Sequence, residues 1–557
     1  MPHSSTSAAG DADNGSTWTS WGATQPTLPA SARRLLGDLL GTLTSQHPAP
    51  IEQAQLAPSR LSDTVREALE AAVGAAAVHT DDVTRARHAG GQSYSDLVRR
   101  RRGDASDAPD AVVRPANARE VAAVLRVCSA QRVAVVPWGG GTSVVGGLAA
   151  LDGGLAAVVA LDLSRMDRLL AVDPISRTAT FEPGIRTPAA EAALAQHGLS
   201  LGHVPQSFER ASLGGYVVTR SSGQGSSGRG RIDDMVLGLR MTTPVGELVL
   251  PAMPGSAAGP DLRRLVLGSE GTLGVLTEVT LRVRPIPATT HYEGWVVRSW
   301  EDGTRLVRTL VQDGPKPDVL RLSDEDETRI SLALSGTSGA KKRAMDAWLR
   351  LRGASGGCLV IVGFEGPAAD VRHRRRGIRR VMRAGHAVGL GTAAGKSWEH
   401  NRFSGPYLRD TLLDEGVLAE TLETATTWSK LPGLYQGVRE ALTGALTRDG
   451  RPPLVGCHVS HVYPAGASLY FTVLAAASPG AELEQWAAAK SAANAAIVAA
   501  DGTVTHHHAV GTAHRDAAVT DLGGAELVGV AALRAVKERL DPVGILNPGK
   551  LLPDGPG

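Results

Sequence analysis

Cysteine is scarce in this chain of 557 residues, which contains only Cys128, Cys358 and Cys457. The three lie far apart and form no Cys-x-x-Cys pair, which argues against a zinc site and for a reducing compartment. We therefore expect a cytoplasmic protein that holds no metal ion.

Long apolar runs and an excess of charge of one sign are missing too. No run approaches the roughly 20 apolar residues that span a bilayer, and the N-terminus lacks the basic-then-apolar order of a signal peptide. The 58 Lys and Arg side chains nearly balance the 56 Asp and Glu, for a net charge of +2. We therefore expect no nucleic-acid partner and no transmembrane segment.

The chain is expected to form several regions, because 557 residues exceed what one hydrophobic core usually covers. Changes in composition and in the pattern of apolar residues mark their bounds. Residues 1–28 are rich in Ser, Thr, Gly and Ala and predict a disordered tail, and residues 29–107 predict short amphipathic helices. Strands alternate with helices over 108–287, and longer helices join the strands over 288–540. The final region, 541–557, starts with a helix breaker.

The run Arg99–Arg102 is the most basic stretch of the N-terminal region. Such a run is usually a solvated surface, although it can also dock on phosphate or on an acidic surface. Both interpretations stay open, and no catalytic role is assigned to the run.

A glycine-dense turn follows the apolar run Val133–Val136. Glycine permits positive φ and removes side chains, so successive backbone N–H groups can surround an anion such as a pyrophosphate. An ordinary tight turn would have the same composition. The candidate residues are Pro137, Trp138, Gly139, Gly140, Gly141, Thr142 and Ser143.

Two later segments of similar composition favour a large dinucleotide over coincidence. They supply backbone donors and short hydroxyl groups that let a planar ligand approach the main chain. The first offers Gln206, Ser207, Ser212, Thr219, Arg220, Ser221 and Ser222. The second offers Glu270, Gly271, Thr272, Leu273, Gly274, Val275, Leu276 and Thr277.

Together with the final Asn547-Pro548-Gly549-Lys550, these segments resemble the vanillyl-alcohol-oxidase superfamily with its p-cresol methylhydroxylase-type FAD fold. The resemblance implies an α+β protein in which a two-subdomain FAD-binding domain over 108–287 carries an α+β substrate (cap) domain over 288–540. The segment 541–557 would return to the FAD-binding domain. By resemblance, the three segments contact the pyrophosphate, the isoalloxazine with its ribityl chain, and the adenosine end. The first loop offers no histidine for a covalent tether, so the implied FAD is non-covalent.

His506, His507 and His508 form a triplet in the second half of the chain. Adjacent residues of a strand point to opposite faces, so three neighbours on a strand cannot ligate one metal ion, and a surface or packing role is the ordinary interpretation. Histidine nevertheless titrates near neutrality and can exchange protons with a bound substrate.

The triplet and the segments around Tyr470, Arg409 and Arg321 resemble one branch of the superfamily, alkyldihydroxyacetone-phosphate synthase (alkylglycerone-phosphate synthase). The resemblance implies ether-lipid synthesis, in which an acyl chain is exchanged for a fatty alcohol through a flavin N5 adduct. Tyr470 would transfer a proton, which a tyrosine can do if neighbouring cations lower its pKa. The three histidines would be catalytic, and the two arginines would bind substrate. A packed aromatic at Tyr470 and an ion pair of Arg409 with Asp410 or Asp414 are the structural alternatives.

Two departures from the branch leave the reaction open. The triplet continues Ala509-Val510-Gly511-Thr512 rather than with Gly-Val-Gly and a basic residue, and Gln206 stands where the eukaryotic synthases carry an acid. The alternative is an FAD-linked oxidase or dehydrogenase of a 2-hydroxy acid such as lactate or glycolate, which also uses Arg and His. A non-catalytic flavin-binding protein is the third class. The expected partners are a small-molecule or lipid substrate, a possible peripheral membrane contact and a possible homodimer.

Overall fold

The computed structural model describes residues 18–23, 25–41, 43–334, 339–524 and 528–552. The strands are β1 Gln55–Leu56, β2 Val78–His79, β3 Asp104–Ala105, β4 Ala111–Val113, β5 Val133–Trp138, β6 Ala157–Asp162, β7 Leu169–Asp173, β8 Thr178–Phe181, β9 Leu199–Ser200, β10 Val236–Thr243, β11 Gly246–Leu250, β12 Val275–Arg282, β13 Arg284–Pro285, β14 Thr289–Val297, β15 Val319–Ser323, β16 Cys358–Gly366, β17 Val388–Gly391, β18 Val417–Thr427, β19 Leu454–Val462 and β20 Gly466–Ala476.

Helices connect and cover these strands. They are α1 Ala30–Leu40, α2 Asp63–Val73, α3 Asp82–Arg87, α4 Tyr94–Arg101, α5 Ala118–Gln131, α6 Thr187–Ala195, α7 Leu213–Thr219, α8 Ser226–Arg229, α9 Ile232–Met235, α10 Arg263–Val266, α11 Trp300–Gln312, α12 Glu325–Leu334, α13 Gly339–Leu351, α14 Ala368–Ala384, α15 Thr392–Asn401, α16 Gly405–Asp414, α17 Leu431–Leu446, α18 Glu482–Ala499, α19 Arg515–Asp521 and α20 Val528–Leu540. Among the described residues, no helix is long and apolar enough to cross a membrane.

The glycine-dense turn leaves a parallel sheet at the end of β5. The sheet has the order β2-β4-β6-β5, in which β4, β6 and β5 run parallel. Helix α5 connects β4 to β5 and buries one face, Val121, Val124, Leu125 and Cys128, whose spacing places the four side chains on one stripe. The turn therefore starts at the carboxyl end of a parallel strand, where α/β sheets bind ligands.

A second sheet in this half of the molecule is antiparallel, with the order β11-β10-β12-β8-β7. Its core includes Phe181, Leu213 and Leu276, all buried. Helix α20 packs on the same core through Leu533 and Val536. This helix therefore belongs with the FAD-binding half, which corrects the predicted cap region of 288–540 at its C-terminal end.

The largest sheet lies in the second half, where seven antiparallel strands run β17-β14-β16-β15-β19-β20-β18. On β20, Leu469, Phe471 and Val473 are buried in a core that α11, α14, α17 and α18 complete. Because strand side chains alternate, Ser468, Tyr470 and Thr472 occupy the other face. That second face is the one that carries the candidate site.

The N-terminal region packs against both halves. Trp21 and Leu28 are 3% and 4% exposed, and the Trp21 N–H donates to the Asp410 carboxylate at 2.6 Å. The predicted disordered tail over 1–28 is therefore wrong for residues 18–23 and 25–28, because their apolar side chains find partners on α16 and β18; residues 1–17 and 24 lie outside the described residues. Helix α2 instead covers the parallel sheet.

The basic run Arg99–Arg102 makes intramolecular contacts and is buried in its middle two residues. Arg100 and Arg101 are buried, and Arg101 pairs with Asp414, while Arg102 pairs with Glu482. Arg99 pairs with Asp104 and Asp107, and the Arg102 side chain stays 39% exposed. Burial therefore excludes a solvated face or a docking patch for Arg100 and Arg101, whereas Arg102 remains at the surface.

Candidate active site

Tyr470 lies on the sheet face opposite the core that contains Leu469, Phe471 and Val473. Its direct cross-strand partners are Glu423 on β18 and His458 on β19, so all three side chains share that face. The Tyr470 and His458 rings stack with centroids 4.8 Å apart. The phenol donates a hydrogen bond of 3.0 Å to Oγ1 of Thr421.

The environment of Tyr470 differs from the sequence expectation. Burial raises the pKa of Tyr470 to about 12, against a smaller opposite effect of the Thr421 hydrogen bond. Cations therefore do not lower this pKa overall, so the condition for an easily ionised tyrosine is not met. At neutral pH the phenol keeps its proton and can donate it.

The histidine triplet lies beside Tyr470 in a bend rather than on a strand. The rings of His506 and His507 are 5.2 Å apart, those of His507 and His508 are 4.8 Å apart, and the His508 ring lies 5.5 Å from that of Tyr470. The expectation that neighbouring rings point to opposite faces is wrong here, because the curled backbone turns all three toward one cluster.

Burial lowers the pKa of each histidine in the triplet, most strongly at His506 and His507. The Glu423 carboxylate opposes that effect because its negative charge favours the imidazolium form. Burial prevails, so the rings are neutral at pH 7 and each can accept a proton.

His461 extends the cluster from β19, with its ring 5.0 Å from that of His506. Nitrogen atoms of His461, His506 and His507 lie within 4.8 Å of one another, close enough to consider a metal ion. Their nitrogens already have partners: His461 Nε2 donates to the Gly223 carbonyl at 3.1 Å, and His506 Nε2 lies 2.6 Å from the Tyr463 hydroxyl. The proton-transfer interpretation therefore accounts for more of these contacts than a metal centre does.

Arg321 reaches the same cluster from β15. Its Nη2 lies 2.8 Å from the Glu327 carboxylate and 3.1 Å from Nδ1 of His458. Burial favours the neutral form of Glu327, but His458 and Arg321 lower the pKa of this carboxyl to about 2. Arg321 thus supports the histidine that stacks on Tyr470.

Arg409 approaches on α16, which packs against β18. Its Nη1 donates to the Gln92 carbonyl at 2.7 Å, and its buried Nε has no hydrogen-bond partner among the described residues. Asp410 accepts from Trp21, and Asp414 pairs with Arg101. Neither Asp410 nor Asp414 forms the predicted ion pair with Arg409 among these contacts, and substrate binding by Arg409 stays a prediction.

The three glycine-rich segments converge in the FAD-binding half. A Cβ at Gly140 would lie 2.1 Å from the Arg210 carbonyl oxygen, which joins the first segment to the second. A Cβ at Gly271 would lie 2.8 Å from the Pro137 ring, which joins the first to the third. Only glycine permits these approaches, and Gly141 and Gly271 also adopt positive φ.

The remaining predicted cofactor residues take several structural roles. Ser212 caps α7 by accepting from the Gly215 N–H, Ser221 hydrogen-bonds His203, and Arg220 pairs with Asp233. Leu273, Val275, Leu276 and Thr277 lead into β12 with buried side chains. Any contact of these four with a cofactor would therefore use the backbone. Glu270 directs its carboxylate to the N–H groups of Val510 and Gly511, both at 2.8 Å.

FAD fits the chemistry of this region. The glycines bring the backbones of the three segments together after β5 in a loop cluster, called the cradle below, and the buried hydroxyl groups of Ser222 and Ser269 have no hydrogen-bond partner among the described residues. A dinucleotide supplies phosphate and ring acceptors for such donors. Gly139, Gly140 and Gly141 would hold the pyrophosphate, and Ser222 would face the ring system.

The cap cluster and the cradle meet directly. His461 donates to Gly223, which follows Ser222 in the second glycine-rich segment. The chain after the triplet is held by Glu270 and by the Val145 carbonyl, which accepts from Thr512 and Ala513 at 3.0 Å each. The histidines therefore lie at the boundary between the two halves, next to the predicted ring-binding segment.

Comparison with known proteins places this arrangement in a family. The model of the FAD binding domain matches residues 109–250, and the C-terminal domain of FAD linked oxidases matches 286–551. The alkyldihydroxyacetonephosphate synthase of Trypanosoma brucei brucei is 34% identical over 86% of this chain and 79% of its own length. The chain belongs to the alkyldihydroxyacetonephosphate synthase family. It is therefore an FAD-dependent enzyme, as predicted.

Two further relatives agree with this membership. The Dictyostelium discoideum alkyldihydroxyacetonephosphate synthase is 33% identical over 85% of this chain and 78% of its own length. A solved structure of alkyldihydroxyacetonephosphate synthase superposes with a TM-score of 0.83 at 28% identity, covering 96% of this chain and 98% of the other.

More distant proteins bear on the fold and on the alternative function. p-Cresol methylhydroxylase superposes with a TM-score of 0.65 at 14% identity, covering 89% of this chain and 98% of the other, which confirms the predicted fold class. The glycolate oxidase subunit GlcD of Bacillus subtilis is 26% identical over 80% of this chain and 89% of its own length. The 2-hydroxy-acid alternative thus has the weaker likeness.

Sequence reasoning missed four members of the site: Glu423, His458, His461 and Tyr463. Each is a single residue inside an ordinary strand or turn pattern. The alternation of β19 gave one available signal, since His458 shares a face with the predicted Tyr470. Glu423 had no signal of its own, because its partners lie 83 to 85 residues away.

Proposed function

We propose that this enzyme exchanges the acyl chain of acyl-dihydroxyacetone phosphate for a fatty alcohol, the step that forms the ether bond of ether lipids. The observation that carries the proposal is the placement of Tyr470 inside a cluster of neutral histidines at the boundary with the FAD cradle. Identity of 31–34% to three alkyldihydroxyacetonephosphate synthases supports the substrate class.

The exchange breaks the bond between the dihydroxyacetone carbon and the acyloxy oxygen, and the same carbon forms a bond to the alcohol oxygen. The acyl group departs as a carboxylate, and the hydroxyl proton of the alcohol must leave. FAD, when bound, supplies an electron-accepting isoalloxazine ring. The protein has to hold the phosphate end and to move protons.

Tyr470 and the histidine triplet would transfer the protons in this reaction. A neutral imidazole of His506, His507 or His508 accepts a proton, and the Tyr470 phenol, whose pKa burial holds near 12, donates one. Arg409 offers its free Nε–H to the phosphate, and Arg321 keeps His458 stacked on Tyr470. No net oxidation follows from this set of transfers.

The test is to mix the purified flavoprotein anaerobically with palmitoyl-dihydroxyacetone phosphate and hexadecanol, and separately with D- and L-2-hydroxy acids. The proposal expects an ether product by mass spectrometry and a flavin spectrum that returns to the oxidised form. Lasting bleaching by a hydroxy acid without ether formation would instead identify a 2-hydroxy-acid dehydrogenase.

The compartment and the partners remain part of the proposal. We infer a reducing compartment, the cytoplasm, because Cys128, Cys358 and Cys457 are buried free thiols. A lipid substrate favours peripheral contact with a membrane. The homodimer stays a prediction that sedimentation of the holoenzyme would check.

A further inference from the structure

Glu423 is a buried carboxylate directly beside Tyr470 in the proposed site. It lies in the middle of β18, directly opposite Tyr470 on β20, and is 1% exposed. An ionised carboxylate at this depth is costly unless several donors compensate it. The donors therefore identify what the residue does.

The donors come from the histidine triplet itself. The Glu423 carboxylate accepts the backbone N–H groups of His506 at 2.5 Å, His507 at 3.0 Å and His508 at 2.8 Å. It also accepts the Thr505 hydroxyl at 2.6 Å. Three successive N–H groups that point to one anion form a concave backbone, which an extended strand cannot adopt.

That curvature explains the arrangement of the rings. With its N–H groups gathered on one carboxylate, the segment directs the His507 and His508 rings to Tyr470 and the His506 ring to Tyr463. We propose that Glu423 is a positioning residue, whose carboxylate organises the triplet backbone and thereby aims the three imidazoles. The inference rests on the proposed function for its catalytic meaning, but its geometric part is independent of the substrate.

The carboxylate also sets the charge around the triplet. Burial lowers the pKa of the histidines, and Glu423 opposes this because it stabilises their protonated forms. Burial also favours the neutral form of Glu423, yet the three histidines keep its own pKa well below the usual range. The other titratable or charged groups that face the triplet come from the sheet, from the loops beside it and from α18: Tyr470, His461, Tyr463, Arg231, Lys490 and His514.

The test compares wild-type holoenzyme with Glu423→Gln. The amide keeps the size of the side chain but has one acceptor oxygen, so it cannot satisfy three N–H groups and a hydroxyl. In hydrogen–deuterium exchange, peptides over 505–510 should exchange at least about tenfold faster. The kcat for ether formation should fall about 100-fold, because misaimed catalytic groups lose that order of rate. Flavin content should stay unchanged.

The pH profile separates positioning from a general loss of structure. Without the carboxylate, the pKa of the histidines falls, so the imidazoles stay neutral to lower pH. The acidic limb of the kcat profile should therefore shift to lower pH. Damage to the fold alone would lower kcat by one factor at every pH. Glu482→Gln is the matched control, since Glu482 is also a buried carboxylate of this half but pairs with Arg102 and Gln46.

The outcomes are distinct. Faster exchange confined to 505–510 in Glu423→Gln, with a shifted pH limb, would support the proposal. Unchanged exchange and unchanged kcat in that variant, or equal effects in Glu482→Gln, would overturn it. If the wild type makes no ether, the proposed function fails, while the exchange measurement still decides whether Glu423 organises the triplet.

Discussion

The two sides of the candidate active site use opposite means. On the FAD side, Gly139, Gly140 and Gly141 contribute backbone, and the cradle exists because side chains are missing. On the cap side, the phenol of Tyr470 and the imidazoles of the triplet carry the proposed chemistry. Buried acids fix the backbone of the triplet and the His458 ring that stacks on Tyr470. The FAD side therefore depends on the absence of side chains, and the cap side depends on where its titratable groups hold protons.

This contrast teaches where each side is vulnerable. An added Cβ is least tolerable at Gly140, because its nearest atoms belong to the main chain of Arg210 and Ala211 and cannot move far. In the cap cluster, we expect the loss of a single hydroxyl to leave the fold intact and to remove one proton donor. Variants on the two sides should therefore separate cofactor loss from catalytic loss.

The largest effect is expected at the cradle. In Gly140→Ala, the new Cβ would lie 2.1 Å from the Arg210 carbonyl oxygen and 2.7 Å from Cα of Ala211, so we expect purified protein without FAD and without activity. Flavin absorbance measures the outcome. Gly437→Ala on α17 is the control: nothing lies within 4 Å, and it should keep FAD and gain about 0.5–1 kcal/mol of stability. A yellow, fully loaded Gly140→Ala protein would contradict this account of the cradle.

The next effect is expected at the cap. Tyr470→Phe removes the proton donor but keeps the ring stacked on His458, so kcat for ether formation should fall about 10³-fold at unchanged flavin content. Tyr435→Phe removes a buried hydroxyl that bonds Asp324, on the helix-covered side of the sheet, and should retain most activity. Equal rates for wild type and Tyr470→Phe would rule out the assigned role.

A smaller effect is expected on stability as the pH falls. Burial lowers the pKa of His203 and His514 to about 3 and of His461 to about 4, below the ordinary 6.5 of unfolded chains. A group with a depressed folded pKa stabilises the fold above pH 6.5, and this contribution is lost as pH falls toward the folded value. Each such histidine removes about 1.4 kcal/mol per pH unit below 6.5.

Buried acids act in the opposite sense. Burial raises the pKa of Glu270 to about 7 and those of Asp324 and Asp410 to about 6. Between pH 7 and pH 5, these three acids therefore stabilise the fold as the pH falls. With the triplet included, the depressed histidines outnumber them. Urea unfolding at pH 7 and pH 5 should therefore give the lower free energy of unfolding at pH 5, and a constant value would contradict the burial of neutral histidines.

The FAD side could be predicted from sequence because its signals are local. The apolar run Val133–Val136 predicts the strand that becomes β5, and the glycines directly after it predict the turn. The spacing of Val121, Val124 and Leu125 predicts the face of α5 that the sheet buries. Period and composition over a short window were sufficient in these cases.

The cap side could be predicted only in part, because its geometry depends on distant partners. The triplet is evident in the sequence, but its curled backbone depends on Glu423, more than 80 residues earlier. Likewise Arg101 looked like surface until Asp414, 313 residues later in the chain, neutralised it. Long-range pairs of single polar residues leave no periodic signal in a sequence.

The return of the chain to β5 has a consequence for biosynthesis. The Val135 N–H donates to the Ile545 carbonyl, the Asn547 N–H donates back to Val135, and Asn547 also reaches Gly147, 400 residues earlier. During translation the glycine cradle is therefore made first, and the edge of β5 stays unpaired until the cap and the C-terminal segment have been made. Premature termination inside the cap would leave a half-built cradle with an open, aggregation-prone edge.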